Sequence, residues 1–298
     1  MTPSRQQRID ELLEQYFELA PGREELLEVI DGTEVPESVY HSNAIENSTL
    51  TLEETDQILA GGIPKRQVQL REVQEAASLG QVIGFMRRYS GGLDREIILH
   101  LHQMLMLPID ETIAGRFRDL GEYVQVGPHI APPPENIEGL LAELLQEYLS
   151  PAREHFVERI AQFHLGFEWI HPFVDGNGRI GRELINLQLQ LLGLPRVMIR
   201  FPDRRDYYRS FAGFDLSHPA MRGARRFGNM LHFALLESLH KRTTYLRGEM
   251  PVRLSDFIRE HGLSAPALTN AAKRQTIPAF RERGVWKIGD GYSYSAQR

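Results

Sequence analysis

The chain has no cysteine among its 298 residues. Disulfides, thiol nucleophiles and thiolate metal sites are thereby excluded, and the composition fits an intracellular protein. It has no apolar run approaching the roughly 20 residues of a membrane-spanning helix. Met1 to Leu13 is polar and helical in spacing, unlike a leader peptide, so a cytoplasmic protein without a membrane partner is expected. Neither sign of charge dominates: 34 Lys or Arg stand against 40 Asp or Glu, a net −6. Internal repeats and low-complexity stretches are absent. His100, His102 and His164 have no metal-ligand spacing and are expected to pack. The length suits one large or two modest domains.

What is present is concentrated in one span, His171-Pro172-Phe173-Val174-Asp175-Gly176-Asn177-Gly178-Arg179-Ile180-Gly181-Arg182. A histidine takes a proton near neutral pH. A carboxylate holds the magnesium ion that accompanies a nucleotide. Glycines let backbone N–H groups close around anionic oxygens. Arg179 and Arg182, three residues apart, share a helix face and suit phosphate oxygens.

The flanks place these parts. Phe156, Val157, Ile160, Phe163, Leu165, Phe167 and Ile170 read as one buried helix, which Pro172 ends. Ile180, Leu184, Leu187 and Leu191 start another. Gly176-Asn177-Gly178 then sits at a helix N-terminus, where unpaired N–H groups and the dipole favour anions. The pattern is that of a polyphosphate site with a base beside it.

The span resembles the Fic family signature, H-P-F-x-[DE]-G-N-G-R-x-x-R, at every fixed position. That family transfers AMP from ATP to a hydroxyl on a protein side chain. The resemblance implies His171 as general base, Phe173 as a buried anchor, and Asp175 as the Mg2+ ligand. It implies Gly176, Asn177 and Gly178 as anion hole, Arg179 and Arg182 as phosphate ligands, and Ile180 and Gly181 as part of the nucleotide-binding stretch. The death-on-curing branch, which phosphorylates, has lysine where this chain has Gly178, so nucleotidyl transfer is favoured.

Ser42-Asn43-Ala44-Ile45-Glu46-Asn47 alone reads as a short helical turn with Ser42 as a cap. Beside the Fic core it resembles the family's inhibitory helix, [ST]-x-x-x-E-[GN]. Ser42, Glu46 and Asn47 are then the inhibitory residues. A buried, bidentate Glu46–Arg182 pair is expected, which would deny Arg182 to the γ-phosphate.

Tyr123 to Val126 alternates like a strand, Gly127-Pro128 is turn chemistry, and His129 to Ala131 can pair back. Such a hairpin can register a peptide by strand addition, and it resembles the Fic flap. Residues 123–131 are expected to dock a target protein carrying a Ser, Thr or Tyr hydroxyl, with Val126 and Gly127 near the nucleotide and His129 an ordinary exposed loop histidine. Tyr207 and Tyr208, in a short amphipathic helix, match positions that in the family pack on adenine and ribose. Asp215 stands further along that helix, where the family often has asparagine, which bears on nucleotide preference.

The expected fold is mainly α: a Fic-type helical bundle with a short hairpin flap, helices over 67–89 and 135–149 supplying core. Residues 1–37 form an N-terminal helical segment and 38–243 the catalytic domain, with the inhibitory helix at 42–47. Residues 251–298 read as a winged helix-turn-helix: helix 254–261, a glycine turn, helix 265–275, and a wing over 277–288. From Val252 to Arg298, eight Lys or Arg stand against four Asp or Glu, a net +4 on a chain of −6. DNA contact there, at Lys273 and Arg274, is an even expectation with protein docking. The leading reading is a self-inhibited protein adenylyltransferase using ATP and Mg2+, with self-modification also open. The alternatives are a DNA-binding regulator whose Fic core senses nucleotide, and removal of AMP at the same site.

Overall fold

A computed structural model describes residues 5–151, 154–216 and 222–294. The helices are α1 (Arg5–Leu19), α2 (Glu24–Ile45), α3 (Leu52–Leu59), α4 (Leu70–Met86), α5 (Arg95–Met106), α6 (Ile137–Leu149), α7 (Phe156–Ile170), α8 (Asn177–Leu191), α9 (Arg204–Phe211), α10 (Arg222–Leu246), α11 (Leu254–Glu260) and α12 (Ala265–Lys273). The strands are β1 (Gln125–Val126), β2 (His129–Ile130), β3 (Pro251–Arg253), β4 (Ala279–Glu282) and β5 (Val285–Gly289). The chain divides into two compact units. One comprises Glu34–Leu194 with Met198–Leu231; the other comprises Met1–Thr33, Pro195–Val197 and His232–Arg298.

The first unit is a mainly helical bundle. Leu79, Val82, Ile83 and Met86 of α4 meet Ile98, Leu101 and Leu105 of α5, Phe163 and Phe167 of α7, and Ile180, Leu184 and Leu187 of α8 in one buried core. The three- and four-residue spacing of these side chains makes each helix amphipathic, and burying the stripes drives the packing. Local signals set the ends. Thr51 and Glu54 form a reciprocal capping box on α3, and Asp94 accepts from Ile97 N to start α5. β1 and β2 make a two-residue antiparallel hairpin, Gln125 opposite Ile130 and Val126 opposite His129, shorter than the alternation suggested.

The segment 42–47 is not a free-standing turn. It is the last turn of α2, a 22-residue helix that runs through Pro36 and across the 37/38 position. Asp31-Gly32 and Pro36 are breaker signals, and burial of Val39, Ala44 and Ile45 outweighs them. Asn47, at φ 70°, ends the helix in the left-handed conformation that asparagine tolerates, with Ser48 N donating to Asn43 O at 3.0 Å.

In the second unit, β3-β5-β4 form an antiparallel sheet against α11 and α12, with Phe257, Leu268, Ala279 and Ile288 in its core. Helices α11 and α12 end slightly before the expected residues; Gln275, at φ 51°, closes the turn after α12. Residues 295–298 of the predicted C-terminal module lie outside the described residues. Arg8 of α1 donates to Gln275 O at 2.7 Å, and Arg247 donates to Gln15 at 2.6 Å, so α1 belongs to this unit.

Candidate active site

The loop between α7 and α8 carries the motif, and its shape follows from its residues. His171 ends α7 at φ 49°, with Pro172 barring continuation. Gly176, at φ 83°, caps α8 in a conformation that costs glycine little. Between them, Asn177 staples the loop through its amide: Oδ1 accepts from Phe173 N at 2.9 Å and Nδ2 donates to Phe173 O at 2.8 Å. Phe173 is fully buried and stacks on His102, ring centroids 3.6 Å apart. The first backbone N–H groups of α8 have no acceptor one turn back in the helix, an arrangement that suits an anion.

Sequence reasoning set His102 aside as packing. It is buried, but it also holds the loop: Nε2 lies 3.0 Å from Asp175 O, and Nδ1 accepts from Gly115 N at 3.1 Å. Arg118 was not singled out either. It is 3% exposed, and its guanidinium donates to the carbonyls of His171 (2.8 Å), Pro132 (2.9 Å) and Glu122 (3.0 Å). A buried arginine satisfied by carbonyls ties the segment after the hairpin to the end of α7. His129, expected to be a free loop residue, is half-buried and its Nε2 lies 2.8 Å from Trp169 O, so the hairpin is tied to α7 a second time. Val126 and Gly127 stay exposed.

His171 has a side chain 14% exposed, with Nδ1 3.3 Å from Glu168 O and 3.8 Å from Glu168 Oε2. Burial pushes its pKa down to about 4, so the ring is neutral at pH 7. An imidazole whose Nδ1–H is turned to its own helix presents Nε2 as the proton acceptor.

Asp175 and Arg179 are not idle. Asp175 pairs with Arg71 of α4 and with Arg179 Nη2 at 2.9 Å, while Arg179 Nη1 reaches Glu75 at 3.2 Å. Arg71 also meets Glu75, at 3.1 Å, closing a ring of two carboxylates and two guanidiniums. Burial opposes the charge on Asp175, and Arg179, the Gly176 N–H and Arg71 outweigh it, so its pKa lies below the ordinary range. Asp175 is thus an ionised, partly exposed single carboxylate. That suits Mg2+, which keeps several waters and takes one or two protein carboxylates beside phosphate oxygens. Arg71, over half exposed, is the partner most easily displaced.

Arg182 is buried, and each of its side-chain nitrogens has a partner: Nε to Ser42 Oγ at 3.0 Å, Nη2 to Ser42 O at 2.9 Å and to Glu46 Oε1 at 2.8 Å, and Nη1 to Tyr207 OH at 3.3 Å. The expected bidentate, buried pair with Glu46 is therefore a single hydrogen bond to a carboxylate 37% exposed. The fork of the guanidinium is spent on Ser42 instead. Gly178 makes room for this: a Cβ there would stand 2.2 Å from Glu46 Oε1. Asn47 acts through backbone geometry rather than a side-chain contact with Arg182.

The tyrosines separate. Tyr207 is 1% exposed, its hydroxyl shared by Arg182 and His164 Nε2 (3.0 Å), so it supports Arg182 rather than facing a nucleotide. Tyr208 is half-exposed and its hydroxyl donates to Ile45 O at 2.9 Å. Asp215 falls in the segment beyond α9, not on that helix. Ile180 and Gly181 are buried in the first turns of α8.

Comparison with known proteins bears on this geometry. Residues 92–189 match the Fic/DOC family. Over 207 residues the chain is 32% identical to protein adenylyltransferase Fic of Nematostella vectensis, an alignment covering 67% of this chain and 48% of the relative. The chain therefore spans about half that relative's length. A Fic-domain-containing signaling protein from Bacteroides thetaiotaomicron VPI-5482 superposes with TM-score 0.73 at 25% identity, covering 82% of this chain and 98% of the other. A Fic family protein from Desulfovibrio desulfuricans G20 shares the fold at TM-score 0.62 and 22% identity, over 99% of this chain and 98% of that one.

Proposed function

The chain carries a Fic/DOC family domain, and from that premise we propose that it is a protein adenylyltransferase, moving AMP from ATP to a hydroxyl of a protein target. The observation that carries this is the α7–α8 loop: a neutral, largely buried His171 five residues before a helix N-terminus that begins Gly176-Asn177-Gly178. His171 Nε2 takes the proton of the target hydroxyl as its oxygen attacks the α-phosphorus, and pyrophosphate leaves. The N–H groups at the start of α8 hold phosphate oxygens. Asp175 would hold Mg2+ in place of its contact with Arg71, and the ion would supply charge neutralisation on the phosphates. Arg182 binds the terminal phosphate when its partners release it, and the exposed hairpin receives the target segment.

The resting contacts of Arg182 support a brake. Ser42 and Glu46 hold the guanidinium that the γ-phosphate needs, which supports a likeness to family members whose inhibitory segment is N-terminal. The test is transfer of label from α-labelled ATP with Mg2+ by wild type, Glu46→Gly and Glu46→Gly/His171→Ala, with cell lysate as a target source. Strong labelling by the single variant, little by wild type and none by the double variant is expected. Equal labelling by wild type and Glu46→Gly removes the brake; labelling that survives His171→Ala removes the base. Residues 251–298 are read as a winged helix-turn-helix whose exposed Asn270, Lys273 and Arg274 offer a modest basic face to DNA.

A further inference from the structure

Glu168 lies one helical turn before His171 on α7, with its side chain 10% exposed. Oε2 is 3.8 Å from His171 Nδ1, and Oε1 is fully buried with no hydrogen-bond partner among the described residues. Space for that oxygen exists because residue 181 is glycine: a Cβ there would stand 2.5 Å from Glu168 Oε1. An apolar side chain of similar volume fills such a site without the penalty of an unsatisfied carboxyl. A carboxyl kept there, against the ring of the base, has a use other than packing.

The groups around the pair belong to every neighbouring element. Facing Glu168 are Arg182 from α8, Tyr207 from α9 and Glu46 from the end of α2. His164, on its own helix, sits with it against Gly181. Facing His171 are Glu168, Arg118, Glu46 and His129. Tyr207 remains a phenol, because burial raises its pKa well above the ordinary value. His164 remains neutral, because burial lowers its pKa to about 3. The charges that bear on Glu168 near neutral pH are therefore Arg182 and Glu46.

We infer that Glu168 is a positioning residue for His171, its carboxyl seated beside Nδ1 and, when ionised, strengthening Nε2 as a base, and that Glu46 on Arg182 restrains this by favouring the neutral carboxyl. The inference rests on His171 being the base, as proposed above. In the transfer step the hydroxyl proton passes to Nε2, the new O–P bond forms, and the bond from the α-phosphorus to the leaving pyrophosphate breaks. Nδ1–H stays on the Glu168 carbonyl, and the Glu168 carboxylate, 3.8 Å from Nδ1, offsets the imidazolium charge. Burial pushes Glu168 up to about 8, opposed by Arg182 and reinforced by Glu46. At pH 7 the resting pair is thus neutral carboxyl beside neutral imidazole. Removing Glu46 takes away a negative neighbour and shifts Glu168 ionisation to lower pH. A carboxylate at this range raises a neighbouring imidazole by about one to three pH units.

The experiment is nitrogen-15 NMR of labelled histidine in the full chain between pH 5.5 and 9.5, for wild type, Glu46→Gly, Glu46→Gly/Glu168→Gln and Glu46→Gly/Glu168→Met, with thermal melts of each. The His171 signals are assigned by loss in His171→Ala. His171 nitrogens should report a transition near pH 8 in wild type, move it to lower pH in Glu46→Gly, and lose it in both Glu168 variants. Transfer by Glu46→Gly should rise severalfold across the same pH interval, with Glu168→Gln flattening that rise and leaving the KM for ATP unchanged. A His171 transition that persists without Glu168 overturns the inference. So does a loss of rate that is uniform with pH and tracks a lowered melting temperature. The NMR arm needs no catalysis: if His171→Ala still transfers label the proposed function fails, while the Glu168–His171 coupling is judged separately.

Discussion

Three histidines of the unit that carries the motif loop are kept neutral by burial: His102 and His171 at about 4 and His164 at about 3. An unfolded histidine titrates near 6.5. The folded form of each therefore resists protonation that the unfolded form accepts. Their contribution to stability is present above pH 6.5 and is lost as pH falls toward 4, by up to about 1.4 kcal/mol per pH unit for each histidine. Glu168 runs the other way: its carboxyl is raised to about 8, so its contribution is present below about pH 4.5 and is lost as pH rises to 8. Melting temperature should fall between pH 6.5 and 5, and the fall should shrink in His164→Phe. Glu168→Gln should gain stability relative to wild type as pH rises from 5 to 8. A flat difference between Glu168→Gln and wild type over that interval contradicts the neutral buried carboxyl. In activity, Glu46→Gly/Glu168→Gln, which lacks the second titration, should hold its rate between pH 6 and 7 and lose it only as pH approaches 4, where His171 takes a proton.

The last turn of α2 is fastened to the rest of its unit at several points. Ser42 meets Arg182 through both hydroxyl and carbonyl, Tyr208 OH donates to Ile45 O, and Glu46 meets Arg182. One turn back, His41 and Glu37 both reach Arg200, on the segment leading to α9. Tyr208, raised to about 12 by burial, stays a donor through the physiological range. Losing its hydrogen bond removes about 0.5–1.5 kcal/mol from the fastened state. Tyr208→Phe should thus raise basal AMP transfer by no more than about tenfold, well short of Glu46→Gly, with added Glu46→Gly masking the effect. Unchanged basal labelling would mean that Ile45 O does not hold the brake. Much of this element was legible in the sequence: Ser42 and Glu46 were picked out, and Arg182 was named as partner. Its setting was not. Asp31-Gly32 and Pro36 read as breakers, and only the burial of Val39 and Ile45 by distant residues makes 24–45 one helix. The motif loop was legible because its order of proline, glycines and apolar stripes is local information. Arg118, His102 and Arg71 were not, because each acts by a contact that tertiary packing creates, and the burial of Glu168 against Gly181 of α8 is likewise tertiary. Tyr207 fell between: it packs, as paired tyrosines usually do, and its hydroxyl serves Arg182 rather than an open nucleotide face.

At the scale of the molecule, residues that are far apart in sequence form the unit that contains the C-terminal sheet. Ile9, Leu12 and Tyr16 of α1 are buried, Arg8 holds the carbonyl of Gln275, and Asp31 pairs with Arg242 of α10. Glu237 of α10 grips Arg281 of β4 at 2.7 Å, and Glu282 meets Lys241 at 3.2 Å. Thr243 is buried inside α10, so cutting there severs a helix rather than a linker. The cleaner perturbation is at the other end of the chain. Deleting residues 1–20 uncovers apolar surface that α1 covers and strands the partners of Arg8 and Gln15. Each large apolar side chain so removed is worth about 1.5–3 kcal/mol. The deletion should therefore raise hydrogen exchange across residues 251–294 while amides of α5, α7 and α8 keep their protection. It should also lower any duplex-DNA retardation as strongly as Lys273→Glu/Arg274→Glu in the intact chain. Protection of 251–294 that survives the deletion would show that these residues fold without α1, and would restore the C-terminal segment as a separable module.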